Sequence, residues 1–164
     1  MASKKPTKTS RTARAKKPSP PKTTMRAAAP KPASGGGLTL RSASPSLTVN
    51  DLQKSLAFYR DVLGCEVEET WKDDDGNVRG LELRAGDVSI MIGQDDWKKG
   101  RDRKKGEGFR IFCETKASVD DIARRIESKG GRLDSRPTDQ PWGMRDISLT
   151  DPDGFKITIA KNLA

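Results

Sequence analysis

From Leu38 onward the chain reads as alternating apolar and polar positions, broken in two places by a helical period. The run from Leu38 to Val49 has strand character. Asn50 is placed to cap a helix, and Gln53 sits where a capping box wants Glu or Gln. Leu52, Leu56, Tyr59 and Leu63 fall on one helical face, with Val62 beside them, and Gly64 supplies a stop. Cys65 to Trp71 predicts a strand. Asp73 to Asn77 predicts a turn, and Val78 to Arg84 with Val88 to Ile92 predicts a hairpin. The polar, basic stretch from Gly93 to Gly106 is too poor in apolar residues to enter a core.

The order then recurs. Gly108 to Thr115 predicts a strand. Ser118 caps a helix whose apolar face is Val119, Ile122, Ala123 and Ile126, ending at Gly130-Gly131. Leu133 begins a weaker strand, followed by an irregular loop containing Pro137, Pro141, Trp142 and Gly143. Arg145 to Thr150 and Phe155 to Ala160 form a hairpin around Asp151-Pro152-Asp153-Gly154. Strand, helix, strand and hairpin thus occur twice. Residues 38–164 are expected to form one α+β domain of two βαβββ modules: a curled mixed sheet around a cleft, helices on its outer face.

Alternation also assigns faces. Leu47, Val49, Leu81, Leu83, Val88, Ile90, Ile92, Phe109, Ile111, Cys113, Ile147, Leu149, Phe155, Ile157 and Ile159 are expected to pack under the helices. The opposite face carries Ser44, Ser46, Thr48, Glu82, Arg84, Ser89, Met91, Arg110, Phe112, Glu114, Asp146, Ser148, Lys156 and Thr158. That face is too polar for a dry core. It either faces water or lines a wet cleft of the kind that holds ligands.

Charge divides the chain. Residues 1–37 hold ten Lys/Arg and no acid, whereas the remainder holds 22 Lys/Arg against 23 Asp/Glu. The overall +9 therefore belongs to the first segment, which is rich in Lys, Pro, Ser, Thr and Ala and is expected to be a disordered tail. Such a tail suits non-specific contact with a polyanion such as nucleic acid, or it is only solvated, or it is a targeting segment. No apolar run is long enough to span a bilayer, and no secretory signal is evident. Two cysteines far apart in sequence, Cys65 and Cys113, fit a reducing cytoplasm better than a disulfide framework. There is no histidine, which removes the commonest transition-metal ligand and the usual general base at neutral pH.

The segment Val49–Gly64, VNDLQKSLAFYRDVLG, is similar to the opening of vicinal-oxygen-chelate domains, the superfamily of glyoxalase I, bleomycin-resistance proteins and extradiol dioxygenases. Asp151–Ile159, DPDGFKITI, resembles its closing hairpin, and Pro141–Asp146, PWGMRD, the segment before it. The resemblance implies two βαβββ modules around a shared cleft, and in many members a homodimer. It also implies a divalent metal in the enzymatic members, held by His, Glu or Gln on inner strands. Those four positions fall here on Ser44, Met91, Arg110 and Thr158. Hydroxyls, a thioether and a guanidinium are poor ligands for such an ion. The resemblance therefore points to the metal-free, bleomycin-resistance-like branch, with no cofactor.

Three functions are weighed on these residues. The first is metal-independent binding of a flat or anionic small molecule, with Ser44, Ser46, Glu82, Met91, Arg110, Phe112, Trp71, Trp142 and Thr158 as candidate ligand contacts. Aromatic planes stack on flat ligands. An inward arginine needs an anion, from a ligand or from Glu82 or Asp146. The second is an enzyme with displaced ligands or acid–base groups drawn from Glu82, Glu114 and Asp146. Arg84, Arg110 and Lys156 share that face, so mutual neutralisation is the simpler account. The third is an interaction protein tethered to nucleic acid by its tail. The basic residues Lys98 to Lys105 are tempered by Asp95, Asp96, Asp102 and Glu107 and read as a solvated loop.

Overall fold

Each half of the chain builds its own four-stranded mixed sheet. The computed structural model describes Leu38 and residues 40–164; the tail expected over residues 1–37 lies outside the described residues. In the first half, β1 (Ser46–Val49), α1 (Leu52–Ala57), β2 (Glu66–Lys72), β3 (Val78–Ala85) and β4 (Val88–Gln94) form a sheet of order β1-β4-β3-β2. In the second, β5 (Arg110–Glu114), α2 (Val119–Ser128), β6 (Ser135–Asp139), β7 (Met144–Thr150) and β8 (Lys156–Asn162) form a sheet of order β5-β8-β7-β6. In each sheet the first and last strands pair in parallel and the other neighbours are antiparallel. The doubled βαβββ order is as the alternation predicts. Among the described residues, no helix is long and apolar enough to cross a membrane.

Local chemistry corrects several details. Only Ser46–Val49 of the first run pairs as a strand. The helix cap is Asp51, one residue later than expected. Its carboxylate accepts the N–H groups of Gln53 and Lys54, each at 3.0 Å. Asn50 instead donates its N–H to Asp153 Oδ1 at 2.7 Å. Beyond Ala57 the helix widens into a π-helical turn, Phe58–Val62, and the Leu63 N–H closes on the Phe58 carbonyl at 3.0 Å. Ser118 caps α2 as expected, accepting from the Asp121 N–H. Pro137, expected in a loop, lies within β6. That strand is a sheet edge, where a missing N–H breaks no ladder.

The core-facing residues of both sheets and both helical segments join in one apolar cluster, which includes Val49, Leu83, Ile92, Tyr59, Ile126, Ile147, Leu149 and Ile157. Val88 and Phe109 were expected there but are exposed. Val88 opens β4 straight after a turn, and Phe109 precedes β5, its ring standing edge-on to Phe155 with centroids 6.0 Å apart. Cys113 and Ile159 are half-buried at the cluster's margin.

The Asp151–Gly154 turn fastens the halves together. Asp151 Oδ2 accepts the phenol of Tyr59 at 3.0 Å, and its Oδ1 accepts the N–H groups of Asp153 and Phe155. Asp153 holds the Asn50 N–H and, through Oδ2, the Ser55 hydroxyl at 3.1 Å. In return, Arg125 of α2 donates to the Leu63 carbonyl. Burial raises the Asp151 carboxyl above its ordinary range, and the hydrogen bonds it accepts oppose that rise. Burial, and then the charge of Asp151, push the Tyr59 phenol far upward.

Asp151→Ala leaves the Tyr59 hydroxyl and the turn amides without an acceptor. It should lower stability by roughly 3 kcal/mol, against about 1 kcal/mol for Tyr59→Phe. Denaturant midpoints at constant slope check both values.

Candidate functional site

Strand register places the candidate residues in two groups, one on each sheet. On the first sheet, Ser46, Met91, Glu82 and Glu69 form a row across β1, β4, β3 and β2. Ser44 Oγ lies 2.7 Å from Ser89 Oγ beside this row. Trp71 stands opposite Gly80 on the same sheet. A Cβ on Gly80 would lie 2.8 Å from the indole, so only glycine lets the ring settle against the strand there. On the second sheet the matching row is Phe112, Thr158, Ser148 and Ser135 across β5, β8, β7 and β6.

The second group forms a recess. A cavity of about 350 Å³ is lined by Arg110, Phe112, Ser135, Gln140, Trp142, Asp146, Ser148 and Thr158. Arg110, Phe112, Trp142 and Thr158 thus come together, while Ser44, Ser46, Glu82, Met91 and Trp71 lie on the other sheet. Phe112 is 54% and Trp142 66% exposed, so two aromatic side chains border the recess with free surface. Arg110 donates to Thr158 Oγ1 at 2.6 Å, not to Glu82 or Asp146. Asp146 is buried and accepts from Gln140 Nε2 at 2.9 Å. Ser135 and Ser148 share a 2.7 Å hydrogen bond. Of the three cations expected to neutralise the carboxylates of that face, Arg84 pairs instead with Glu68 on the edge strand, at 2.5 Å.

A divalent ion fits neither group. Arg110 aims its guanidinium at Thr158, and a second cation beside it would be repelled. Ser44 is engaged with Ser89. Glu82 sits on one sheet and Glu114 and Asp146 on the other, so the displaced ligand set does not assemble. Among the described residues no three Asp, Glu, Cys or His gather closely enough to hold a metal.

The stretch read as a solvated loop has its own internal structure. Asp95, only 3% exposed, follows β4. Its carboxylate accepts the Trp97 N–H at 2.8 Å, Arg103 at 2.5 Å and the Lys105 ammonium. Lys105 is itself buried, its side chain 4% exposed. Arg101 stacks on Trp97, its guanidinium carbon 4.6 Å from the ring centroid. Gly106 then rests against Gly154, where a Cβ would come within 1.8 Å of the carbonyl oxygen. Charge count hid this arrangement. The one available signal was Asp95 directly after a strand, within reach of several basic residues.

Lys105, the Trp97 N–H and Arg103 hold the Asp95 carboxyl well below the usual carboxylate range. A depressed carboxylate adds stability that is present above its unfolded pKa of about 3.9 and lost as pH falls through the folded value. The Trp97 indole NMR signal should therefore keep its folded position down to about pH 4 and move only below it. Asp95→Asn should displace that signal already at neutral pH.

A model of the Glyoxalase/Bleomycin resistance protein/Dioxygenase superfamily matches residues 41–159. The uncharacterized protein YraH of Bacillus subtilis (strain 168) is 27% identical over 126 residues, covering 71% of this chain and 94% of that protein. The crystal structure of a glyoxalase-related enzyme from Clostridium phytofermentans superposes with a TM-score of 0.60 at 16% identity, covering 78% of this chain and 99% of the other. That of a protein of unknown function from Agrobacterium tumefaciens gives 0.59 at 25% identity, covering 78% and 98%.

Proposed function

The chain belongs to the Glyoxalase/Bleomycin resistance protein/Dioxygenase superfamily, and from that premise we propose that it is a metal-independent small-molecule binder of the bleomycin-resistance-like type. Its ligand is flat and anionic and sits in the recess of the second sheet. The observation that carries this reading is Arg110 lining one recess with two exposed aromatic side chains, Phe112 and Trp142, and with the hydroxyl-bearing Ser135, Ser148 and Thr158. Aromatic faces stack on a planar ring, and a guanidinium that enters no ion pair among the described residues offers donors to a carboxylate or phosphate. Nothing in this arrangement needs a Lewis acid, because sequestration is binding alone.

A homodimer and a cytoplasmic setting belong to the same proposal. The row on the first sheet is acidic, with Glu82 and Glu69 side by side, whereas the second sheet sets Arg110 beside Lys156. Opposite charges on the two sheets favour an association in which the acidic row of one copy borders, without covering, the basic pair of another. The free thiols of Cys65 and Cys113 suit a reducing compartment.

Titration with a panel of flat, charged aromatics should give saturable tryptophan quenching. Arg110→Ala should weaken the anionic members about tenfold or more, and Trp142→Ala should remove most of the quenching. No saturable binding across the panel, or a stoichiometric divalent ion retained by the purified protein, would overturn this reading.

For residues 1–37, the ten Lys/Arg support contact with a polyanion. Retention on heparin should fall steeply with salt and drop when those residues are removed; equal retention of both forms would end the idea.

A further inference from the structure

A second cavity lies beside the recess and shares Arg110 with it. It measures about 600 Å³ and lies between residues 103–110 and the turn into β8. Arg103, Lys104, Lys105, Arg110 and Lys156 contribute five cations to its wall, and Glu107 and Asp153 two carboxylates. These charges are not equally available. Arg103 and Lys105 share Asp95, and Asp153 is held by the Asn50 N–H and the Ser55 hydroxyl. Among the described residues, Lys104, Arg110 and Lys156 enter no ion pair.

The register sharpens the point. Arg110 and Lys156 are direct partners across the parallel β5–β8 pair and therefore lie on one face of the sheet. Like charges so placed destabilise a sheet unless an anion lies between them. Arg110 also lines the aromatic recess, so it belongs to both cavities. One nitrogen of its guanidinium is spent on Thr158, which leaves the others free to donate.

We propose that this cavity is a phosphate pocket continuous with the aromatic recess, so that the ligand is a planar aromatic molecule bearing a phosphoryl group. This rests on the binding reading above and specifies the ligand class. The ring lies along Phe112 and Trp142. The phosphoryl oxygens lie among Arg110, Lys156 and Lys104, and a dianion offsets the repulsion between the two cross-strand cations. The Glu107 carboxylate in the same wall opposes the anion, and the three cations outweigh it.

The test is isothermal titration calorimetry of the full chain with 1-naphthyl phosphate, 1-naphthol and inorganic phosphate. Naphthyl phosphate should bind at least about tenfold more tightly than naphthol. That ratio should shrink with added salt. Inorganic phosphate should compete with naphthyl phosphate. In a Lys104→Gln/Lys156→Gln double variant, both exposed positions, the affinity ratio should fall severalfold, toward the preference that Arg110 alone supports, while the denaturation midpoint does not drop. Equal affinity for the two aromatics in the unmodified protein, or a ratio unchanged in the double variant, overturns the phosphate pocket and leaves the aromatic recess standing. Failure of both aromatics to bind overturns the recess and the pocket together.

Discussion

The hydrogen bond from the Tyr59 phenol to the Asp151 carboxylate, with the Asp153 contacts beside it, decides how the two modules meet. It joins a helical segment of the first half to the hairpin turn of the second, inside the one apolar cluster both halves share. With the core-facing sides of both sheets committed to that cluster, their polar faces are left outward. Burial raises the cost of the Asp151 charge, and three donors converge on it to offset that cost. One turn thus ties the packing of the shared core to the placement of the two polar sheet faces.

The fold was largely legible because alternation and helical period are local properties. Leu47 and Val49, Leu81 and Leu83, Ile147 and Leu149 point inward as a period of two requires, and Ser118 begins α2 because a hydroxyl there meets an orphan amide. Misplacements arose where a long-range partner competes with a local rule. Asn50 has the right side chain for a cap, but its backbone is claimed by Asp153 from the far end of the chain, and Asp51 takes the role. Pro137 argues against a strand unless that strand is known to be an edge, which depends on sheet order.

The site was legible by face but not by sheet. Alternation says that Met91 and Thr158 look away from the core; it cannot say that they belong to separate sheets. Arg110, Phe112, Trp142 and Thr158 converge because β5 and β8 are parallel neighbours and the β6–β7 loop returns over them, facts of topology rather than pattern. The segment after β4 was the largest omission. Its charges look balanced in a count, yet Asp95 gathers Arg103 and Lys105 while Lys104 enters no ion pair among the described residues.

The anchoring of that segment separates adaptability from integrity. It is clamped at one end by Asp95 on Lys105 and at the other by Gly106 seated on Gly154. Within it, residues 98–104 bear chiefly on the segment itself, through Lys98 on Asp96, Arg101 on Trp97 and Arg103 on Asp95. Substitutions or insertions in the intervening positions can therefore reshape a cavity wall without disturbing the apolar cluster. A lineage could recast the charge and shape of that wall by editing a handful of surface codons, leaving the scaffold untouched.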